Sequence, residues 1–157
     1  MSDVGEAIRS DLSMLDLEVE IVKAGISELQ SETDSENLLK FNVMGLAGAI
    51  DSLYSGCERV LSLIAARIDG TPIGKTGAWH AELIERMADS YENRPTVLAA
   101  DTRELLDSYR SFRHRVRSNY GSRLDPVIVQ ERAAEASRLA TIFRRDIEAF
   151  LDARTSA

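Results

Sequence analysis

One stretch of this chain concentrates residues able to grip a polyanion. Between Ser108 and Leu124 stand Arg110, Arg113, Arg115, Arg117 and Arg123, with His114 among them and no acidic residue, in a chain of net charge −7. Arginine forks hold phosphate oxygens bidentately, so such a patch suits a phosphate-bearing partner. On a helix, Arg113 and Arg117 lie one turn apart, as do Arg110 and His114. The cluster therefore spreads round the helix instead of matching acids on its own element. Overall acidity by itself disfavours nucleic acid, but the local patch restores it as a candidate partner. A charge run is also the usual solvated face of a helix, and that reading stays beside the first.

Other chemically suggestive residues read more plainly. Gly70-Thr-Pro-Ile-Gly74-Lys75-Thr76 resembles a phosphate-binding loop, but that motif needs four residues between its glycines and a strand before it. Only three residues intervene here, after a long helical pattern. It is expected to be a glycine-rich connection, with Thr76 or Gly77 starting a short helix. Trp79 reads as a core anchor and His80 as a surface or hydrogen-bonded residue. With two histidines and one cysteine in the chain, no metal site and no cofactor are expected. Cys57, on an apolar helix face with no base predicted beside it, reads as a small buried hydrophobe.

The elements that position these residues are helical by periodicity. Ile8, Leu12, Leu15, Val19, Val22, Ile26 and Leu29 define an amphipathic helix over about 3–31, with acids at other positions. Thr33 and Glu36 have the spacing of a capping box. The next helix, about 36–69, is the most apolar. It carries Val43, Leu46, Ala47, Ile50, Leu53, Tyr54, Cys57, Val60, Leu61, Ile64 and Ile68, while Gly45, Gly48 and Gly56 offer close approach. A short helix over about 78–90 follows, then a break at Asn93-Arg94-Pro95. A fourth helix over about 97–119 places Leu98, Thr102, Leu105, Tyr109, Phe112 and Val116 on one side, with Gly121 as a left-handed cap. Asp125-Pro126 opens a fifth. Its core side is Val129, Ala136, Leu139, Ile142, Phe143, Ile147, Phe150 and Leu151. The expected fold is all-α, an antiparallel bundle of four long helices and one short one.

Composition bounds the rest. At 157 residues, 44% hydrophobic and 29% charged, the chain fits one domain over 1–157 with a real core. No apolar run is long enough for a membrane span, and the first residues lack the layout of a signal peptide. A cytoplasmic location is expected. A lone Cys57 excludes an intramolecular disulfide.

Taken in order, several of these pieces resemble the HEPN superfamily, and within it the HepT-like proteins. Tyr54-Ser-Gly-Cys-Glu58-Arg59-Val-Leu61 with Ile64-Ala is similar to that family's second helix. Asp69-Gly70, Pro72, Gly74 and Trp79-His80-Ala-Glu-Leu83-Ile-Glu-Arg-Met87 are similar to its loop and short helix. Arg94-Pro95-Thr-Val-Leu98 resembles the next start. Phe112-Arg113-His114-Arg-Val-Arg117-Ser-Asn-Tyr120-Gly121 with Leu124-Asp125 resembles its signature helix. The order of these pieces over most of the chain is more specific than any one of them.

The resemblance implies a metal-independent ribonuclease toxin, a homodimer whose Arg113 segments face a shared cleft, and a minimal nucleotidyltransferase as antitoxin. The family hallmark is Arg, four residues, His, one residue, Tyr. Arg113 matches the arginine, and Tyr120 the tyrosine that in some relatives the antitoxin modifies with AMP. The histidine position is Ser118. RNA cleavage without a metal needs a group to take the 2′-hydroxyl proton and donors for the charge growing on phosphorus. Arg110, Arg113 and Arg117 suit the second task. A serine hydroxyl holds its proton too tightly for the first, and His114, four residues earlier, is the stand-in on that helix. Two readings follow, a HepT-like RNA-cleaving toxin impaired at Ser118, or a non-catalytic module that binds a nucleotidyltransferase or RNA. A helical scaffold unrelated to RNA is a third.

Overall fold

Apolar residues at steps of three and four dictate helices, and the computed structural model, which describes residues 4–155, is built from them. The elements are α1 (Val4–Gln30), α2 (Glu36–Arg67), α3 (Trp79–Ala88), α4 (Ala100–Ser118), α5 (Pro126–Ala134) and α6 (Ala136–Thr155). A 3-10 turn, Gly121–Arg123, lies between α4 and α5. The all-α expectation holds, and no described helix is long and apolar enough to cross a membrane.

Helix α2 is central, although it keeps an exposed side through Phe41, Met44, Gly48, Ser52 and Arg59. Val43, Leu46, Ile50, Leu53, Cys57, Leu61 and Ile64 are all buried, and α2 packs against every other helix. Helix α1 runs antiparallel to it, with Arg59 Nε 3.5 Å from Asp11 Oδ2 at one end and Leu46 against Gly25 towards the other. A Cβ on Gly56 would stand 2.6 Å from Leu15 Cδ2, so this glycine permits the close approach. Gly45 and Gly48, expected to do the same, face open space.

Four local features depart from the sequence-based expectation, each for a visible reason. Ser35, not Thr33, caps α2: its Oγ accepts the Leu38 N–H at 3.2 Å, and Thr33 Oγ1 accepts the Ser35 N–H at 3.3 Å. Glu36 is therefore free to pair with Lys40. Helix α4 starts at Ala100 because the Val97 and Leu98 N–H groups both donate to Met87 O at 2.9 Å, strapping the segment onto α3. Asp146 of α6 then accepts the Ala99 N–H at 2.8 Å and so caps α4 from across the fold. Gly121 does not end α4 as a left-handed cap. The chain leaves through Asn119 at φ −114, and Gly121 opens the 3-10 turn, where a Cβ would meet the Met44 side chain at 2.6 Å.

The fourth departure is the fifth predicted helix, which breaks at Glu135 (φ −91, ψ −1) into α5 and α6. In an unbroken helix the Arg132 carbonyl would accept from the N–H four residues on. Here the Tyr109 hydroxyl donates to it at 2.7 Å and the Glu135 N–H at 3.3 Å. A side chain inserted into the ladder is a recognised cause of a kink. The core side expected for this region, Val129 to Leu151, is nonetheless buried throughout.

Between α2 and α3, Gly70 (φ +68) and Gly77 (φ +61) hold left-handed conformations. The loop follows a helix, as a connection rather than a phosphate cradle would.

Candidate functional site

Helix α4 ends as an exposed arginine-rich rod laid along α2. Its buried side, Leu105, Leu106, Tyr109 and Phe112, fixes its rotation. That rotation aims Arg113 at α2, where Nη1 donates to Asp51 Oδ1 at 2.6 Å and to Ser55 Oγ at 2.8 Å. Arg117, one turn on, donates from Nη2 to Asp51 Oδ2 at 3.2 Å. One carboxylate therefore holds two guanidinium groups side by side. The Arg113 side chain is 16% exposed and that of Arg117 62%, so the pair runs from the core boundary out to solvent. The Arg113 guanidinium carbon is 6.0 Å from the Tyr54 ring centroid, within cation–π range.

The remaining residues of the arginine-rich stretch divide. Arg110 turns back to Asp107 of its own helix, Nε to Oδ1 at 2.7 Å. This corrects the expectation that the cluster matches no acid on its own element; the acid lies just outside the stretch. Arg115, Arg123 and His114 are exposed. Ser118 Oγ donates to the His114 carbonyl at 2.7 Å, the usual local bond of a helical serine. Tyr120 is 79% exposed, in extended backbone (φ −63, ψ 136) just past the helix.

A second polar centre lies farther along α2. Glu58, 5% exposed, makes a short contact through Oε1 with His80 Nδ1 of α3. The His80 side chain is 27% exposed, so His80 is the hydrogen-bonded residue expected. Its ring centroid is 3.8 Å from that of Trp79, and Lys75 Nζ is 5.4 Å from the Trp79 ring centroid. Trp79 is half-buried against the core. Among the described residues the buried Tyr54 hydroxyl has no partner at hydrogen-bond geometry, and Glu58 is the charged group that bears most on it. Burial, and then the neighbouring Glu58 charge, push its pKa up. Burial also pushes the Cys57 thiol up, suppressing thiolate, in keeping with a buried hydrophobe. Among the described residues no group of three or more His, Cys, Asp or Glu could hold a metal ion.

Sequence reasoning missed Asp51 and Ser55 as partners of Arg113. Their signal was present: Asp51, Ser55 and Glu58 recur at steps of four and three on the most apolar helix, one polar line on a buried element. Nothing in the sequence tells which arginine, 62 residues away, that line meets.

Comparison with known proteins gives one family. A family model described as HepT-like protein matches residues 45–154, which include α3 to α6 and most of α2. No curated protein and no solved structure matches the chain. The match spans both polar centres and most of the chain, and by it this chain belongs to the HepT-like protein family.

Proposed function

We propose that the chain is the HepT-like component of a toxin–antitoxin pair and acts on RNA in the cytoplasm. The observation that carries this reading is the convergence of Arg113 and Arg117 on Asp51 at an exposed helix end, with Tyr120 exposed just beyond it. Two guanidinium groups held at one carboxylate present further donors outward, the arrangement that grips a phosphodiester. In this reading Arg110, Arg113 and Arg117 bind phosphate, and Arg113 stabilises charge on the reacting phosphorus. Ser118 occupies the proton-transfer position of the hallmark without the chemistry for it. His114 is the replacement imidazole that α4 itself offers. Tyr120 is the acceptor for AMP from a minimal nucleotidyltransferase partner, and its exposure leaves the hydroxyl accessible to one.

Two copies of the chain would bring their Arg113 segments to a shared cleft. Exposed apolar side chains support a protein cover at this end. Leu38, Phe41 and Met44 follow one another at steps of three, with Phe41 68% exposed, and Met44 lies against Gly121.

The non-catalytic reading has its own support in Ser118, whose hydroxyl is spent on the His114 carbonyl. Incubation of the purified protein with single-stranded RNA separates the two. Cleavage above an Arg113→Ala control supports the toxin reading. RNA binding without cleavage supports the module, and the absence of both overturns the toxin reading and leaves the module only its nucleotidyltransferase partner.

A further inference from the structure

The site at the end of α4 leaves one imidazole without a role, and it is the better held of the two. The carboxylate of Glu58, almost fully buried, faces His80 Nδ1. A carboxylate on one ring nitrogen fixes the tautomer and leaves the other nitrogen, Nε2, as proton acceptor. A base oriented by a third group is the general arrangement of a proton-transfer site. His114, by contrast, is exposed, and its ring has no hydrogen-bond partner among the described residues.

Placement supports the same role. Ser55, which accepts from Arg113, and Glu58, which holds His80, are three residues apart on α2 and so are neighbours on one face. Tyr54 lies between the two centres: its ring is under Arg113 and its hydroxyl is buried near the Glu58 charge. The phosphate donor and the imidazole thus address adjacent turns of one helix. Beside His80, the Trp79 ring and Lys75 supply an aromatic face and a cation, which is how single-stranded nucleotides are commonly held.

We propose that His80, oriented by Glu58, takes the ribose 2′-hydroxyl proton of an RNA strand whose phosphate Arg113 grips. This rests on the proposed action on RNA and replaces His114 as the base. The 2′-oxygen forms a bond to the adjacent phosphorus as its proton passes to Nε2. The bond from phosphorus to the 5′-oxygen breaks, and that oxygen takes a proton from water. The products are a 2′,3′-cyclic phosphate and a 5′-hydroxyl, and no electrons are exchanged with a redox partner.

The test uses the purified full chain and a labelled single-stranded RNA, comparing wild type with R113A, H80A, H80N, H114A and E58Q. Asparagine keeps a donor for Glu58 but cannot take up a proton, so H80N separates chemistry from the packing of α3 on α2. H80A and H80N are expected to lose about 10²-fold or more in rate, the usual scale for a general base. Added imidazole restores part of the rate to H80A, while E58Q and H114A are each slowed less than H80A. If R113A is inactive while H80A and H80N cleave at the wild-type rate, the His80 assignment is overturned and the RNA reading stands. Slow H80A without imidazole rescue, or an H80N as active as wild type, also overturns it and leaves His80 a packing residue. A wild-type protein that cleaves no faster than R113A removes both.

Discussion

Arg94 and Arg113 are both bound to an aspartate of another segment, yet they do opposite work. Arg94 closes the turn Tyr91–Arg94 and is 6% exposed. Its Nε donates to Asp69 Oδ1 at 2.6 Å, Nη1 to the Pro95 carbonyl at 2.8 Å, and Nη2 to the Arg86 carbonyl at 3.1 Å. Every arm of the fork is used inside the protein, and the Asp69 side chain is 0% exposed. Arg113 engages α2 through Nη1 alone, and its aspartate is shared with Arg117. A guanidinium whose donors are all satisfied internally clamps a loop. One with donors left over at a surface is available to a ligand. The difference lies in how many hydrogen bonds remain, not in residue type or in the presence of a salt bridge.

The comparison breaks most visibly on stability. Arg94→Ala leaves the Asp69 carboxylate buried and unpaired, a loss of about 3–5 kcal/mol that thermal or urea unfolding would register. A cost below about 1 kcal/mol, the scale of a surface pair, would show that the clamp is not what holds the 68–98 segment. Next in size, Tyr109→Phe removes the hydroxyl that takes the Arg132 carbonyl at the α5–α6 break. A loss of about 1 kcal/mol is expected, typical of one hydrogen bond. Arg113→Ala should cost still less, within about 1 kcal/mol, because Asp51 keeps Arg117. An unfolding cost equal to that of Arg94→Ala would make Arg113 a second structural clamp.

The smallest effect is electrostatic and concerns exposed pairs. The hydrogen bond from Arg145 holds the Asp101 carboxyl below its ordinary value, and that from Lys40 does the same for Glu36. A carboxyl depressed in the folded state adds stability above its unfolded-state pKa, near 4. That stability is lost as pH falls through the lower folded-state value. Asp101→Asn should therefore lower stability slightly at neutral pH and change it little at low pH, which flattens the acid limb of the stability profile. An unaltered acid limb would show that the Asp101–Arg145 pair contributes nothing.

What the sequence made legible follows from the range of each interaction. Burial of Ile8, Leu12, Leu15, Val19 and Val22 on α1 is a local, periodic property, and it was readable. So was the N-cap at Asp125, whose Oδ1 accepts the Val127 N–H at 2.9 Å. The break at Glu135 was not, because it contains neither proline nor glycine and depends on a tyrosine from α4. The start of α4 was misplaced because Met87, on α3, claims the Val97 and Leu98 N–H groups. The candidate site shows the same division. The arginines were visible as a run, whereas Asp51 and Ser55, which decide where Arg113 points, become its partners only when α4 lies on α2.

The central claim is that the end of α4 is a phosphate-binding surface, and the affinity for a single-stranded RNA measured across a salt series tests it directly. Wild type should bind with an affinity that falls steeply as salt rises. Arg113→Ala should bind more weakly, with a log–log slope shallower by about 0.7, the value for one lost phosphate contact on a single strand. Equal affinity and equal slope in the two proteins would contradict the account.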